Sequence, residues 1–359
     1  MKSGNSPPVS AVQPASETRA YNSVVEATEL PRIIRLSENL FAAAFRLMKL
    51  LPARHMIDKA EEAELLRPRG TVIETSSGTL ALGLAIVCRL RGYKLIIVGD
   101  PVIDRNLRAQ LELLGATVEL VNNADQPGGI QRARLARVEE LRACIPNSYV
   151  PGQYDNPENP AAYAPVADMI CAALGSVDCL IGTVGSGGST GGIAKTIRQC
   201  HPDVRLVGVD SHASVIFGRP DGPRLLRGLG SSIRPRNVAY DVYDEVHWVM
   251  PGDVFHATRE LYRTHGLFMG PTSGAAYLVG SWWSQANRQS KTIILLPDEG
   301  YRYQGTVYDD DWLRDNRMLL GERAAAPTTV GHPSQAGNSW SRIDWSRRTL
   351  DSVLGTRGR

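Results

Sequence analysis

Residues 184–193 read VGSGGSTGGI, five glycines and three hydroxyl side chains in ten residues. The run before it, CLIGT at 179–183, is apolar and of strand length, and IAKTIRQC at 193–200 continues as a helix. A strand, a glycine-rich turn and a helix together make a cradle for an anion. Glycine leaves the backbone amides uncovered, and the helix N-terminus adds its partial positive charge. Ser186, Ser189 and Thr190 add hydroxyl donors. The loop lacks the Gly-Lys-Ser/Thr ending of a nucleotide P-loop. It is not a clean dinucleotide fingerprint either, since no acidic residue ends the next strand with obvious ribose geometry, although Asp210, which ends RLVGVD, keeps that option open. The plainer reading, a flexible surface loop, fits poorly with a strand on one side and a helix on the other.

Outward from this loop, strand and helix patterns alternate. TVIET (71–75), KLIIVGD (94–100) and TVELV (117–121) read as strands, with helices over 79–92 and 104–115 between them. A second set runs from a helix at VADMICAALG (166–175) through the strand CLIGTV and the glycine loop to RLVGVD (205–210), and TIILLP (292–297) closes the core. This alternation predicts two α/β lobes with mostly parallel sheets, divided by the Pro/Asn-rich segment 146–160. A cleft between two such lobes is where a ligand sits.

The 359 residues suffice for about two domains. A hydrophobic share of 43% and a net charge of +3 give no reason to expect nucleic-acid or membrane partners. The longest apolar stretch, TLALGLAIVC, is too short to span a bilayer, and the N-terminus has no signal-peptide core. Five scattered cysteines without a C-x-x-C pair read as reduced, buried thiols, so a cytoplasmic enzyme without a metal site is expected. Residues 1–20 are rich in Ser, Pro and Ala and are expected to be disordered. The region from GERAAAP (321–327) onward looks similar, ending in a short docking helix or a tail.

Several further stretches complete a pattern: ETSSGTLALGLA (74–85), GQYDNPENPAAY (152–163), LLRGLGSSIRPRN (225–237), HGLFMGPTSGAA (265–276) and LLPDEGYRYQGT (295–306). In this order the chain resembles, over roughly residues 20–315, the pyridoxal-phosphate enzymes of the cysteine synthase and cystathionine β-synthase family. The resemblance implies the two-lobed type II fold of those enzymes. It places a smaller mobile lobe at 35–150, a larger cofactor lobe at 21–34 and 151–315, and an extension at 316–359.

It also implies site roles. Gly185, Ser186, Gly187, Gly188 and Ser189 would hold the cofactor phosphate, Thr272 would face the pyridine nitrogen, and Gly228 would line the ring. Ser76, Ser77, Gly78 and Thr79, with Gln153, would grip the substrate carboxylate, and Thr79 also stands where the family places an Asn beside the ring hydroxyl. Lys49 falls at the aldimine position by ungapped register with HMIDKAEEAELLRP (55–68), whereas Lys59 lies about 15 Å further along that helix. The surroundings of Lys49 depart from the family. FAAAFRLM (41–48) replaces an Asn-Pro-Ser-Gly-Ser loop, Leu50 and Leu51 replace Asp-Arg, and Leu80 replaces a Thr. An apolar wall lowers a lysine pKa. Without the resemblance, MKLL would read as a snorkelling lysine on an amphipathic helix.

Arg227 is a candidate reader of a substrate phosphate, and Arg46 a weaker one. Tyr301, Arg302 and Tyr303 are candidates for the cofactor mouth. Trp282 and Trp283 suggest packing at a subunit interface, and His55, His201 and His247 show no metal spacing. The resemblance implies β-replacement on O-acetyl- or O-phospho-L-serine through an aminoacrylate, by a homodimer. The product would be cysteine or a related β-substituted amino acid, with an amine or specialised thiol as the other nucleophiles considered. Dehydratase-like elimination on serine or threonine, and an inactive homologue acting as a binding partner, are the alternatives.

Overall fold

A computed structural model describes residues 20–122, 129–319 and 324–355. The expectation for residues 1–20 therefore lies, Ala20 apart, outside the described residues. Twelve strands occur among the described residues: β1 (Arg32–Arg35), β2 (Leu40–Ala44), β3 (Thr71–Thr75), β4 (Lys94–Gly99), β5 (Thr117–Leu120), β6 (Ser148–Tyr149), β7 (Cys179–Thr183), β8 (Arg205–Ser211), β9 (Glu245–Val249), β10 (Thr292–Leu296), β11 (Thr328–Thr329) and β12 (Ser341–Asp344). They build two sheets, one of eight strands in the order β1-β2-β10-β7-β8-β9-β12-β11 and one of four in the order β5-β4-β3-β6. Neighbours from β2 to β9 in the larger sheet, and all four strands of the smaller, pair in parallel. The architecture is thus two α/β lobes, each a mostly parallel sheet with helices.

The strands β3, β7 and β10 are buried along their whole length. Helices cover such a sheet on both faces, so its strands are apolar without alternation. The smaller lobe packs the helices Leu50–Glu62 and Thr79–Arg91 against its sheet through Met56, Ile57, Leu84 and Ile97. Gly83 lets the two helices approach each other: a Cβ there would stand 2.8 Å from the Lys49 carbonyl oxygen.

Two segments differ from the sequence reading. Leu40–Ala44 is a strand of the larger sheet, paired with Thr292–Leu296, although the smaller lobe was expected to begin at 35. Its run of alanines carries little strand propensity, and the parallel partner decides the conformation. The stretch from 324, expected to be disordered with a docking helix or tail at its end, contains β11, β12 and the helix Leu350–Leu354. β12 pairs antiparallel with β9, and Trp340 and Trp345 are buried. Trp282 packs on this chain's own Trp340, at 5.8 Å between ring centroids. Behind these rings His247 is fully buried. Its Nδ1 accepts a hydrogen bond from Trp340 Nε1 (2.9 Å) and its Nε2 lies 2.7 Å from Glu245.

Candidate active site

The chain leaves β2 and turns over the end of β10 before entering the helix Leu50–Glu62. Phe45 N–H donates to the Leu296 carbonyl (2.9 Å) and Met48 N–H to the Pro297 carbonyl (2.8 Å), so the turn is held to the larger sheet. Lys49 is the N-cap of the helix. Part of the residue is accessible through the cleft, but its amine is enclosed and donates to Ser186 Oγ at 3.3 Å. Burial lowers its pKa from 10.5 to about 8, because an ammonium loses hydration there and gains no carboxylate partner. Lys59 lies on the surface, paired with Glu62 at 2.6 Å. Arg46 is likewise largely exposed, 4.0 Å from Glu299.

The glycine loop stands opposite. Gly187 has φ +83° and forms the N-cap of the helix Gly188–Cys200. Ser186 Oγ accepts from Lys49 Nζ and from Asn159 Nδ2 (3.2 Å), which frees its own proton for an acceptor in the cleft. Gly188 faces away from the cleft: a Cβ there would stand 2.4 Å from Asn159 Oδ1. Buried Asn159 also donates to the Gln153 carbonyl (2.6 Å) and so ties the loop to the segment that opens the larger lobe.

On the smaller lobe, Gly78 is the N-cap of the helix Thr79–Arg91 and offers no capping side chain of its own. The Ser76 hydroxyl is turned inward, accepting from the amides of Gly78 (3.2 Å) and Ala81 (3.3 Å). Gln153 Nε2 donates to the Thr75 carbonyl (3.0 Å). Glu74 lies behind this loop, its pKa raised to about 7 by burial, with the amides of Thr75 and Gln153 partly offsetting the rise. Ser77 Oγ accepts from Arg134 Nη1 (3.2 Å), and Arg134 also pairs with Asp100 at 2.9 Å, both side chains 8% exposed.

The third wall comes from the larger lobe. Gly228, with φ +85°, packs so closely that a Cβ would meet Thr272 Cγ2 at 2.8 Å. Thr272 lies in the first turn of the helix Pro271–Ala286, its Oγ1 3.5 Å from Asp298 Oδ1, and Tyr303 OH donates to Asp298 Oδ2 at 2.8 Å. Burial raises the Asp298 pKa, opposed by Arg302 and by the Tyr303 and Thr272 hydroxyls. Arg227 and Arg302 also reach the cleft, whereas Tyr301 is 67% exposed and packs on Phe268.

One cleft of about 380 Å³ is therefore lined by Lys49, Ser76–Thr79, Gln153, Gly185–Gly187, Ser189, Arg227, Gly228 and Thr272. Gly188, Thr190, Arg46 and Tyr301, also candidates, lie outside that lining. The sequence reading missed Arg134, Asp100, Asn159 and Asp298. Asn159 and Asp298 stood inside quoted motifs. Arg134 sits in RARLARVEE, a charge pattern indistinguishable from a solvated helix face.

The sequence profile of the family described as "Pyridoxal-phosphate dependent enzyme" matches residues 45–297. The chain belongs to this family. The N-(2-amino-2-carboxyethyl)-L-glutamate synthase of Ralstonia nicotianae is 34% identical over 322 residues, 86% of this chain and 94% of that protein. A putative cysteine synthase of Sinorhizobium fredii is 31% identical over 280 residues, 76% of this chain and 83% of that one. The O-acetylserine-dependent cystathionine β-synthase of Helicobacter pylori superposes with a TM-score of 0.74. At 24% identity, covering 80% of this chain and 99% of that one, it speaks for the fold alone. The protein is a pyridoxal-phosphate-dependent, cysteine synthase-like enzyme of β-replacement, acting on an amino-acid substrate. The cleft fits that cofactor: it offers side-chain-free amides for a phosphate, an enclosed amine of lowered pKa for an aldehyde, and an unclaimed Ser186 proton. Among the described residues no helix is long and apolar enough to cross a membrane, and no group of His, Cys, Asp and Glu is placed to hold a metal.

Proposed function

We propose that the enzyme joins an activated L-serine, O-phospho- or O-acetyl-L-serine, to the amine of an acidic amino acid, making an N-(2-amino-2-carboxyethyl) product. The charge of the cleft lining carries this reading. Five cationic side chains, Lys49 and Arg134, Arg224, Arg227 and Arg302, face two carboxylates, Asp100 and Asp298. Such a lining suits substrates with several anionic groups better than sulfide alone. The name of the Ralstonia relative's product, a glutamate carrying a serine-derived carbon unit, points the same way.

The residues divide the work. Amides of Gly185–Ser189, with the Ser186 hydroxyl, would hold the cofactor phosphate, and Thr272 would face the ring nitrogen. The amides of Ser77–Thr79, with Gln153, would fix the serine carboxylate. Pyridoxal phosphate, when bound, supplies the electron sink for bond-breaking at Cα and Cβ. The Lys49 amine, whose burial makes it shed its proton more readily than a surface lysine, takes the Cα proton and later returns it. The C–O bond to phosphate or acetate breaks at Cβ, a C–N bond forms from the incoming amine, and that nitrogen gives up one proton. Closure of the smaller lobe over the bound serine would keep water out. The family resemblance supports a homodimer, and five free thiols suit a cytoplasmic setting.

The test offers both activated serines with L-glutamate, L-aspartate and sulfide, and reads the products by mass spectrometry. Coupling to an acidic amino acid supports the proposal. Cysteine as the sole product returns the enzyme to sulfide use, and pyruvate alone makes it an eliminating enzyme.

A further inference from the structure

The four cleft arginines are not equivalent. Arg134 is committed to Asp100 and Ser77. Arg224 pairs with Asp221 (2.8 Å) and Ser232 (2.7 Å), and Arg302 lies over the Tyr303 ring, 5.2 Å from its centroid. Arg227 lines the same cleft, is exposed, and has no ion pair or hydrogen bond among the described residues. Its backbone, by contrast, is firmly held. Leu226 and Leu229 on either side are buried, and Gly228 packs on Thr272. Gly230 N–H donates to the Val184 carbonyl (2.8 Å), and Ser231 N–H to Ser214 Oγ (3.1 Å). The loop carrying Ser214 is packed in turn by the C-terminal segment, with Trp345 edge-on to Phe217 at 5.1 Å.

A fixed α-carbon with an uncommitted guanidinium is a preorganised anion reader, because binding need not order the chain first. Arg227 also stands on the larger lobe, whereas Arg134 and Ser76–Thr79 belong to the smaller one. The two walls can then receive different molecules. Resting on the function proposed above, we infer that Arg227 is the specificity-determining residue for the second substrate. Its guanidinium pairs with the side-chain carboxylate of the acidic amino acid whose amine attacks Cβ, two N–H groups on two oxygens.

The test uses the holoenzyme with O-phospho-L-serine and four second substrates: L-glutamate, its neutral isostere L-glutamine, L-ornithine and sulfide. The wild type is expected to favour glutamate over glutamine. Arg227→Gln should lower kcat/KM for glutamate about 10- to 100-fold, chiefly through KM, and level that preference. Arg227→Glu should favour ornithine over glutamate. Calorimetry of L-glutamate with the holoenzyme should show the same loss of affinity without turnover. An unchanged glutamate-to-glutamine ratio in Arg227→Gln overturns the inference, as does an equal loss with glutamate and sulfide, which would mark a reader of the first substrate or a loop brace. A wild type that couples sulfide but no amino acid refutes the proposed function as well. Wild-type coupling of glutamate with an indifferent Arg227 refutes only the residue assignment.

Discussion

Replacing Lys49 by Met should stabilise the cofactor-free enzyme while abolishing its chemistry. The enclosed amine has its pKa lowered from 10.5 to about 8 by burial. That difference corresponds to roughly 3 kcal/mol of unfavourable burial of the charged form, an upper limit because water reaches the residue through the cleft. The sign follows from proton counts. Below pH 8 the amine is protonated in both folded and unfolded chains, and the full cost is present. Between pH 8 and 10.5 the folded amine sheds its proton while the unfolded one keeps it, so stability rises with pH. Above 10.5 the cost is gone. Met fills a similar volume and never carries charge. The variant should therefore exceed the wild type by about 2–3 kcal/mol at pH 7, and this advantage should fade between pH 8 and 10.5. Urea unfolding of both cofactor-free proteins at four pH values measures it. An advantage that is absent at pH 7, or that grows with pH, would refute the picture of a buried, unpaired ammonium.

Gly188→Ala should drive a methyl into Asn159 Oδ1 and loosen the tie between the glycine loop and Gln153. About 1–3 kcal/mol of stability is the expected loss, and cofactor affinity, followed by fluorescence titration, should fall with it. Asp100→Leu alone should strand Arg134 and destabilise by about 3–5 kcal/mol, whereas Asp100→Leu with Arg134→Met should recover most of that in thermal unfolding. Burial lowers the His247 pKa, and its Nδ1 accepts the Trp340 bond only when unprotonated. As the pH falls below 6.5 the unfolded chain takes up a proton that the folded one refuses, so stability should drop there. His247→Gln should flatten that part of the denaturation-against-pH curve.

The glycine loop could be read from the sequence because its signal is local: bare residues between an apolar strand and a helix. The same holds for Thr71–Thr75 and Lys94–Gly99, whose β-branched runs match their state. Leu40–Ala44 could not, since alanine favours helix and only pairing with Thr292–Leu296 makes it extended. Ser341–Asp344 failed for a related reason: four residues with two charges become a strand because β9 offers an edge and Trp340 a buried anchor. Lys49 was placed by register with the helix that follows, and the structure adds what register cannot give, the hold of Met48 on Pro297. Arg134 and Asp100 come together across 34 positions of chain, and no spacing rule announces such a pair.

The order in which the strands leave the ribosome has its own consequence. β3 to β6 of the smaller sheet are contiguous in the chain, but the larger sheet draws on β1 and β2 near one end and β12 near the other. During synthesis the smaller sheet can therefore assemble early, while β9 waits with one edge bare until the last strand is released. Long-range pairing of this kind is slow, and a bare strand edge recruits other chains. Nascent chains that stop short of residue 340 should accordingly depend on chaperones and clump when these are depleted, whereas the completed protein should not.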